Sequence, residues 1–249
     1  MKFGIGTYSF GGFATFLGLG LTLKEKFEKI KSLGFDQVEI LAVDLEMNST
    51  ADIKRWAEET GLEITSVHAE PTEEVIKKMA ELGARAVIWA GTPFNCKAEA
   101  IEVAQYLDKM AEFAAPYGIK IGYHNHSQEF YVDEGKSLLE HLLDNSTKCF
   151  SQLDCGWAMN GGMYPPYFIR KYRNRIVSIH VKENSRVAGP GPKPASRHDA
   201  SGRPPMRDLK KLPLEERQKM LESFEARMKE SAVRFDPQCK MGSDISNID

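Results

Sequence analysis

The feature that most constrains this chain is the regular return of a short apolar run, often led by a glycine and closed by a polar residue. Gln37 to Leu41, Leu62 to His68, Ala84 to Ala90, Ile119 to Tyr123, Lys148 to Asp154 and Ile176 to Lys182 each read as a strand. Phe3 to Phe10 reads as a first strand ending at Tyr8 and Ser9. Between them lie segments with apolar residues at helical spacing: Leu23, Phe27, Ile30 and Leu33; Ile53 to Thr60; Glu73 to Leu82; Ala98 to Tyr117; Ser137 to Leu143; and Pro166 to Arg173. Turn glycines precede the strands at Gly34, Gly61, Gly83 and Gly118. Strands joined by helical crossovers pair in parallel with right-handed connections. A chain of 249 residues with 42% hydrophobic content has room for one large core. The pattern predicts a single α/β domain over residues 1–249, a parallel (β/α) barrel with seven recognisable strands and the eighth missing.

In such sheets ligands sit at the carboxyl ends of the strands. Tyr8, Glu39, His68, His124, His126, Asp154 and His180 all fall on that side. The densest cluster is Gly118 to Phe130, G-I-K-I-G-Y-H-N-H-S-Q-E-F. Side chains alternate along a strand, so His124 and His126 are expected on one face and Asn125 on the other. Glu39 lies inside an apolar run, where a carboxylate needs a partner or a function.

Composition excludes several classes. The formal net charge is -2, so no global basic field draws the chain to nucleic acid or an anionic membrane. No apolar run reaches the length of a membrane span, and the amino terminus lacks a signal peptide's apolar region. Cys96, Cys149, Cys155 and Cys239 have no C-x-x-C spacing and read as reduced thiols of a cytoplasmic protein. Residues 184–211 are rich in proline, glycine and arginine and are expected to be an irregular insertion, either a lid, an interface arm or a mobile stretch. Residues 213–233 are expected to form a charged amphipathic helix with Met220, Phe224 and Met228 on one side.

At Y-H-N-H-S-Q-E-F, Q-L-D-C-G-W-A and I-H-V-K-E the chain resembles the sugar phosphate isomerase/epimerase family, the xylose-isomerase-like TIM barrels. The resemblance covers Lys2 to Lys182, and M-G-S-D-I-S-N-I-D looks like the segment that precedes the family's last helix and strand. It implies one divalent metal at the barrel mouth, carried over onto Asp154, His180 and His124, with His126 as the alternative to His124. The family's eighth-strand glutamate has no counterpart, and Glu183 stands where H-V-K-D has aspartate. Two imidazoles and a carboxylate suit Mn, Fe, Co or Zn better than Mg or Ca.

The resemblance implies a metal-dependent sugar isomerase or epimerase working by proton transfer next to a carbonyl. Glu39, His68 and Lys182 are then the candidate catalytic residues, and Tyr8, His126, Glu129 and Trp157 the candidate substrate contacts. A keto-sugar or keto-inositol lyase or dehydratase starts from the same proton abstraction and stands as the alternative. So does a catalytically impaired, truncated barrel that pairs with other copies through its open edge. An endonuclease IV-like role, which uses a larger His and carboxylate cluster and a basic DNA groove, fits poorly, because the chain has only six histidines and is mildly acidic.

Overall fold

The computed structural model of the chain describes residues 2–182, 187–198 and 206–232. Its main strands are β1 (Gly4–Gly6), β2 (Gln37–Leu41), β3 (Glu63–His68), β4 (Ala86–Ala90), β5 (Lys120–His124), β6 (Phe150–Asp154) and β7 (Ile176–His180). Hydrogen-bonded neighbours follow chain order from β1 to β7, and the strands are parallel. This is the α/β order of a (β/α) barrel with seven strands among the described residues. The M-G-S-D-I-S-N-I-D segment, and with it any eighth strand, lies outside them. The described residues fall into two compact units: 2–70, 74–87 and 206–232 form one, and 71–73, 88–182 and 187–198 the other.

In the first unit, α1 (Phe13–Phe16) and α2 (Leu23–Ser32) follow β1. Helix α2 starts with a capping box. Thr22 accepts from the Glu25 amide at 3.3 Å, and the Glu25 carboxylate accepts from the Thr22 amide at 2.7 Å. Phe27 and Ile30 are buried as expected, but Leu33 is exposed and Lys26 takes a core position instead. Its ammonium donates to Thr15 Oγ1 at 3.0 Å and lies 4.0 Å from Asp44 Oδ1. Asp44, on α3 (Ala42–Met47), also accepts from Thr7 Oγ1 at 2.7 Å and from the Leu41 amide at 2.9 Å. Burial pushes the Lys26 pKa down, and the charge of Asp44 pulls it back.

This buried network draws Thr7 inward. The first strand stops at Gly6, and Thr7–Phe10 turns into a 3₁₀ helix that carries Tyr8 away from the expected strand end. The remaining elements here are α4 (Thr50–Thr60), closed by Gly61 at φ 66°, and α5 (Glu73–Glu81). Farther along, Met206–Lys211 is a 3₁₀ helix and Leu214–Ala232 forms the expected amphipathic helix. Its Phe224 ring stacks 4.7 Å from Phe13, and Arg217 donates to the Leu17 carbonyl at 2.7 Å.

In the second unit, α6 (Lys97–Ala114) ends earlier than the expected Tyr117. A 3₁₀ turn around Pro116 and Gly118 at φ 69° reverse the chain into β5. Gly122 leaves little room for a side chain, because a Cβ would come 2.8 Å from Ile88 Cδ1 and 3.2 Å from the Phe150 carbonyl and both neighbours would have to shift. Strand β6 starts at Phe150 and not at the expected Lys148, since Asp108 on α6 captures the amides of Thr147, Lys148 and Cys149 at 2.8 to 3.2 Å. Helix α7 (Leu138–Asp144) follows a two-strand hairpin, Val132–Asp133 with Lys136–Ser137, that the sequence pattern does not reveal. Helices α8 (Cys155–Asn160) and α9 (Pro165–Tyr172) lead into β7, which ends at His180, two residues before the expected Lys182.

The Lys26–Asp44 pair generates a stability expectation. Asp44→Ala leaves a buried ammonium without its counter-charge and should cost about 3–5 kcal/mol. Lys26→Met should cost less, because Asp44 keeps its donors from Thr7 and Leu41. Urea denaturation of the two variants checks the order; equal losses would show that the ion pair does not set the cost.

Candidate functional site

The parallel register builds the polar end of the second unit in two rungs. His124 of β5 stands beside Gln152 of β6, and Gln152 beside Ser178 of β7. Two residues further along, on the same face, Asp154 stands beside His180. His124 Nδ1 lies 3.0 Å from Gln152 Oε1, and Gln152 Nε2 donates to Ser178 Oγ at 3.0 Å. With Oε1 turned to the ring, an amide oxygen that can only accept calls for a hydrogen on Nδ1, while Nε2 faces Asp154. That Nε2 is 4.0 Å from Asp154 Oδ2, and His180 Nδ1 is 3.9 Å from the same oxygen. The His124 and His180 rings meet edge to face, with centroids 4.8 Å apart.

Asp154 is held from three sides. Its other oxygen, Oδ1, caps α8 by accepting from the Trp157 amide at 2.7 Å. Its backbone is clamped by Asn125, whose amide group donates to the Asp154 carbonyl at 3.2 Å and accepts from the Asp154 amide at 3.0 Å. Burial raises the Asp154 pKa, while the Trp157 amide and the charges of Lys182 and His180 lower it.

Strand β5 ends at His124, so His126 lies in the following loop and not on the strand face as expected. Its ring still sits 5.1 Å from that of His124 and 5.7 Å from the ring of Trp157 on α8. Glu129 shapes this loop from inside. It is 1% exposed, accepts from the His126 amide at 2.7 Å and from the Tyr123 hydroxyl at 2.9 Å, and is pushed up to about 7 by burial. Gly161 lets α8 pass close by, since a Cβ there would lie 2.9 Å from the Ser127 carbonyl. The Lys182 ammonium rests over the Trp157 ring, 3.7 Å from its centroid. Desolvation lowers the Lys182 pKa against the opposing charge of Asp154; the residue as a whole is exposed, and water tempers the shift.

In the first unit, Glu39 on β2 finds the partners that its burial demands. Ser66 Oγ donates to Glu39 Oε2 at 2.6 Å, and His68 Nε2 lies 3.1 Å from Oε1. His68 closes β3 as expected. Tyr8 is half-exposed on its 3₁₀ turn, with its ring 6.0 Å from that of Phe16.

Two separations in the second unit, Asp154 Oδ2 to His124 Nε2 and to His180 Nδ1, are short enough for one divalent ion to bridge. Two atoms bound to one ion at about 2.0–2.2 Å cannot be farther apart than about 4.4 Å. Both imidazole-to-carboxylate separations meet that limit. The Gln152 contact gives His124 the oriented tautomer that ligating histidines have. Gln152 itself escapes the sequence reading; the signal was its place two residues before Asp154, on the same strand face.

A family model for xylose isomerase-like TIM barrels matches residues 27–226. Among solved structures the chain is similar to a sugar phosphate isomerase/epimerase from Parabacteroides distasonis, at 24% identity over 72% of this chain and 76% of that one, with a TM-score of 0.61. It is similar to a probable 3-DHS dehydratase from Bacillus anthracis, at 15% identity over 75% of each chain, with a TM-score of 0.56. A 3-keto-D-glucoside 4-epimerase from E. coli is also similar, at 17% identity over 68% of this chain and 78% of that one, with a TM-score of 0.53. At these identities the likeness is one of fold. No curated protein matches the chain.

Glu129 gives the site a pH signature. From its ordinary value of 4.5 up to about 7, the folded protein holds a proton that the unfolded chain releases. Stability should therefore fall as pH rises through that window and level off above it. In Glu129→Gln that fall should disappear. Urea denaturation across about pH 5 to 8 reads both slopes, and equal slopes would refute the shift.

Proposed function

The chain belongs to the xylose isomerase-like TIM barrel family, and from that membership we propose that it is a metal-dependent sugar isomerase or epimerase acting by proton transfer next to a carbonyl. The observation that carries the reading is Asp154 Oδ2, flanked at 3.9 and 4.0 Å by the nitrogens of His180 and His124, with His124 oriented by Gln152. His124, Asp154 and His180 would hold the ion, whether Mn, Zn, Co or Fe. Bound there, a divalent ion supplies Lewis acidity to a carbonyl or hydroxyl oxygen.

The chain's own residues do the rest. Gln152 fixes the His124 tautomer, and Asn125 fixes the height of Asp154 at the strand end. The Lys182 ammonium carries hydrogens for a substrate oxygen or phosphate, and the Trp157 face and His126 edge offer a surface for a sugar ring. Tyr8 is kept as a substrate contact. Glu129 contributes by setting the His126 loop. Glu39, with Ser66 and His68 on its two oxygens, is the candidate proton acceptor, and His68 the group that shares the proton. A small-molecule sugar is the proposed substrate. Among the described residues no helix is long and apolar enough to cross a membrane. A cytoplasmic location and self-association through an open sheet edge remain part of the proposal.

The experiment follows the hydrogen. A panel of ketoses and keto-inositols is incubated with the protein and Mn, Co or Zn in heavy water. Deuterium entering at the carbon beside the carbonyl, read by NMR together with the product, supports the reading; loss of water in place of a new stereoisomer would assign a dehydratase. Asp154→Ala should lose both bound metal and exchange, and Gln152→Ala should weaken metal binding by roughly 10–100-fold. Unchanged metal content in Asp154→Ala would overturn the ligand set.

A further inference from the structure

Residues 187–198 run irregularly from one strand-end element of the second unit to another, and both ends are tied. The amides of Ala188 and Gly189 donate to the Asn160 carbonyl at 3.0 and 2.8 Å. Asn160 ends α8, which begins directly after Asp154, at the carboxyl end of β6. At the other end, the Ser196 hydroxyl donates to Glu99 Oε1 and the Arg197 amide to Glu99 Oε2 at 3.3 Å. His198 Nε2 lies 3.0 Å from Glu102 Oε2, and Arg197 Nε lies 3.7 Å from the same oxygen. Glu99 and Glu102 are in the first two turns of α6, which follows the carboxyl end of β4. Glu99 is buried and its Oε2 also accepts from the Asn95 amide at 2.8 Å, so the clasp is built onto a carboxylate already fixed in place.

In the sheet, β5 lies between β4 and β6. The segment is tied to the end of α8, which follows β6, and to the first two turns of α6, which follows β4; β5, with His124 at its end and the His126 loop after it, lies between those two strands. The seven residues from Gly189 to Ser196 reach at most about 25 Å, enough to cross three neighbouring strands but too little for a detour around the unit. We propose that residues 187–198 are a strap across the strand ends of the second unit, and that the Glu99–Glu102 clasp on α6 controls access to His126 and His180. The strap rests on the site proposed above only for its purpose; its position and clasp stand on geometry.

The test reads accessibility and needs no turnover. The protein, Glu102→Gln and Glu99→Gln are labelled with diethyl pyrocarbonate, and each histidine is quantified by mass spectrometry, with trypsin cleavage after Arg197 followed in parallel. Releasing the clasp should raise cleavage and speed labelling of His126 and His180 by about threefold or more. His141, buried on α7 and bonded through Nε2 to the Asp133 carbonyl at 2.7 Å, should not change. Faster cleavage with unchanged His126 and His180 would mean that the segment covers neither and would overturn the proposal. Unchanged cleavage in both variants would overturn the clasp. A rise at His141 equal to that at His126 would show that the carboxylates hold the helix and not the strap, and would overturn it as well. Failure of the heavy-water experiment leaves these readouts untouched, so the two readings fall separately.

Discussion

The constraint on which the site of this chain depends is strand register. In a parallel sheet a side chain has a neighbour of the same orientation only if the pairing places it there, and a slip of one residue turns every side chain to the opposite face. The pairing of His124 with Gln152, of Gln152 with Ser178 and of Asp154 with His180 is therefore what creates a two-rung polar array from three strands that share no sequence pattern. The register shift between Ser151 and Gln152, on the β7 side, contributes to this alignment. Asn125 and Gly122 protect the register. Asn125 bonds both backbone groups of Asp154, and Gly122 admits the close approach of Ile88 and Phe150.

In each unit, buried polar groups are satisfied before they can contribute to chemistry. Glu39 has Ser66 and His68, Asp154 has the Trp157 amide, and Glu129 has the His126 amide and the Tyr123 hydroxyl. Each such bond lessens the desolvation penalty of a carboxylate and fixes its rotamer. A group held this way keeps its geometry when a ligand arrives, which is the practical meaning of preorganisation.

Much of this was legible in the sequence, because period and punctuation are local. Strands β2 to β7 lie where apolar runs and turn glycines put them, and His68 and Asp154 close their strands as the pattern implies, while β7 stops at His180, two residues short of Lys182. What was not legible depended on partners distant in sequence. Tyr8 left its strand because Thr7 turns in toward Asp44, and no local pattern around residue 8 announces that. The first helix's apolar count favoured Leu33 over Lys26, yet Leu33 is 54% exposed and Lys26 is in the core. Gln152 reads in sequence as an ordinary polar residue in a strand, since its role appears only once His124 and Ser178 stand on either side. Strand β6 was read two residues too long because Asp108, about forty positions earlier, holds the amides of Lys148 and Cys149.

The Lys26 network also bears on the order in which the chain assembles. Thr7, Thr15, Lys26 and Asp44 are joined by contacts spanning at most 37 residues, so loops of modest length close to form them. Contacts of short sequence separation form early, whereas pairing of distant strands waits on larger loop closures. As synthesis proceeds from the amino terminus, the first forty-odd residues hold all four members of this polar knot before β3 exists. The glycine-rich turn after β1, whose backbone has the most freedom to lose, thus has its tether in its own neighbourhood, and its ordering can begin without the later strands.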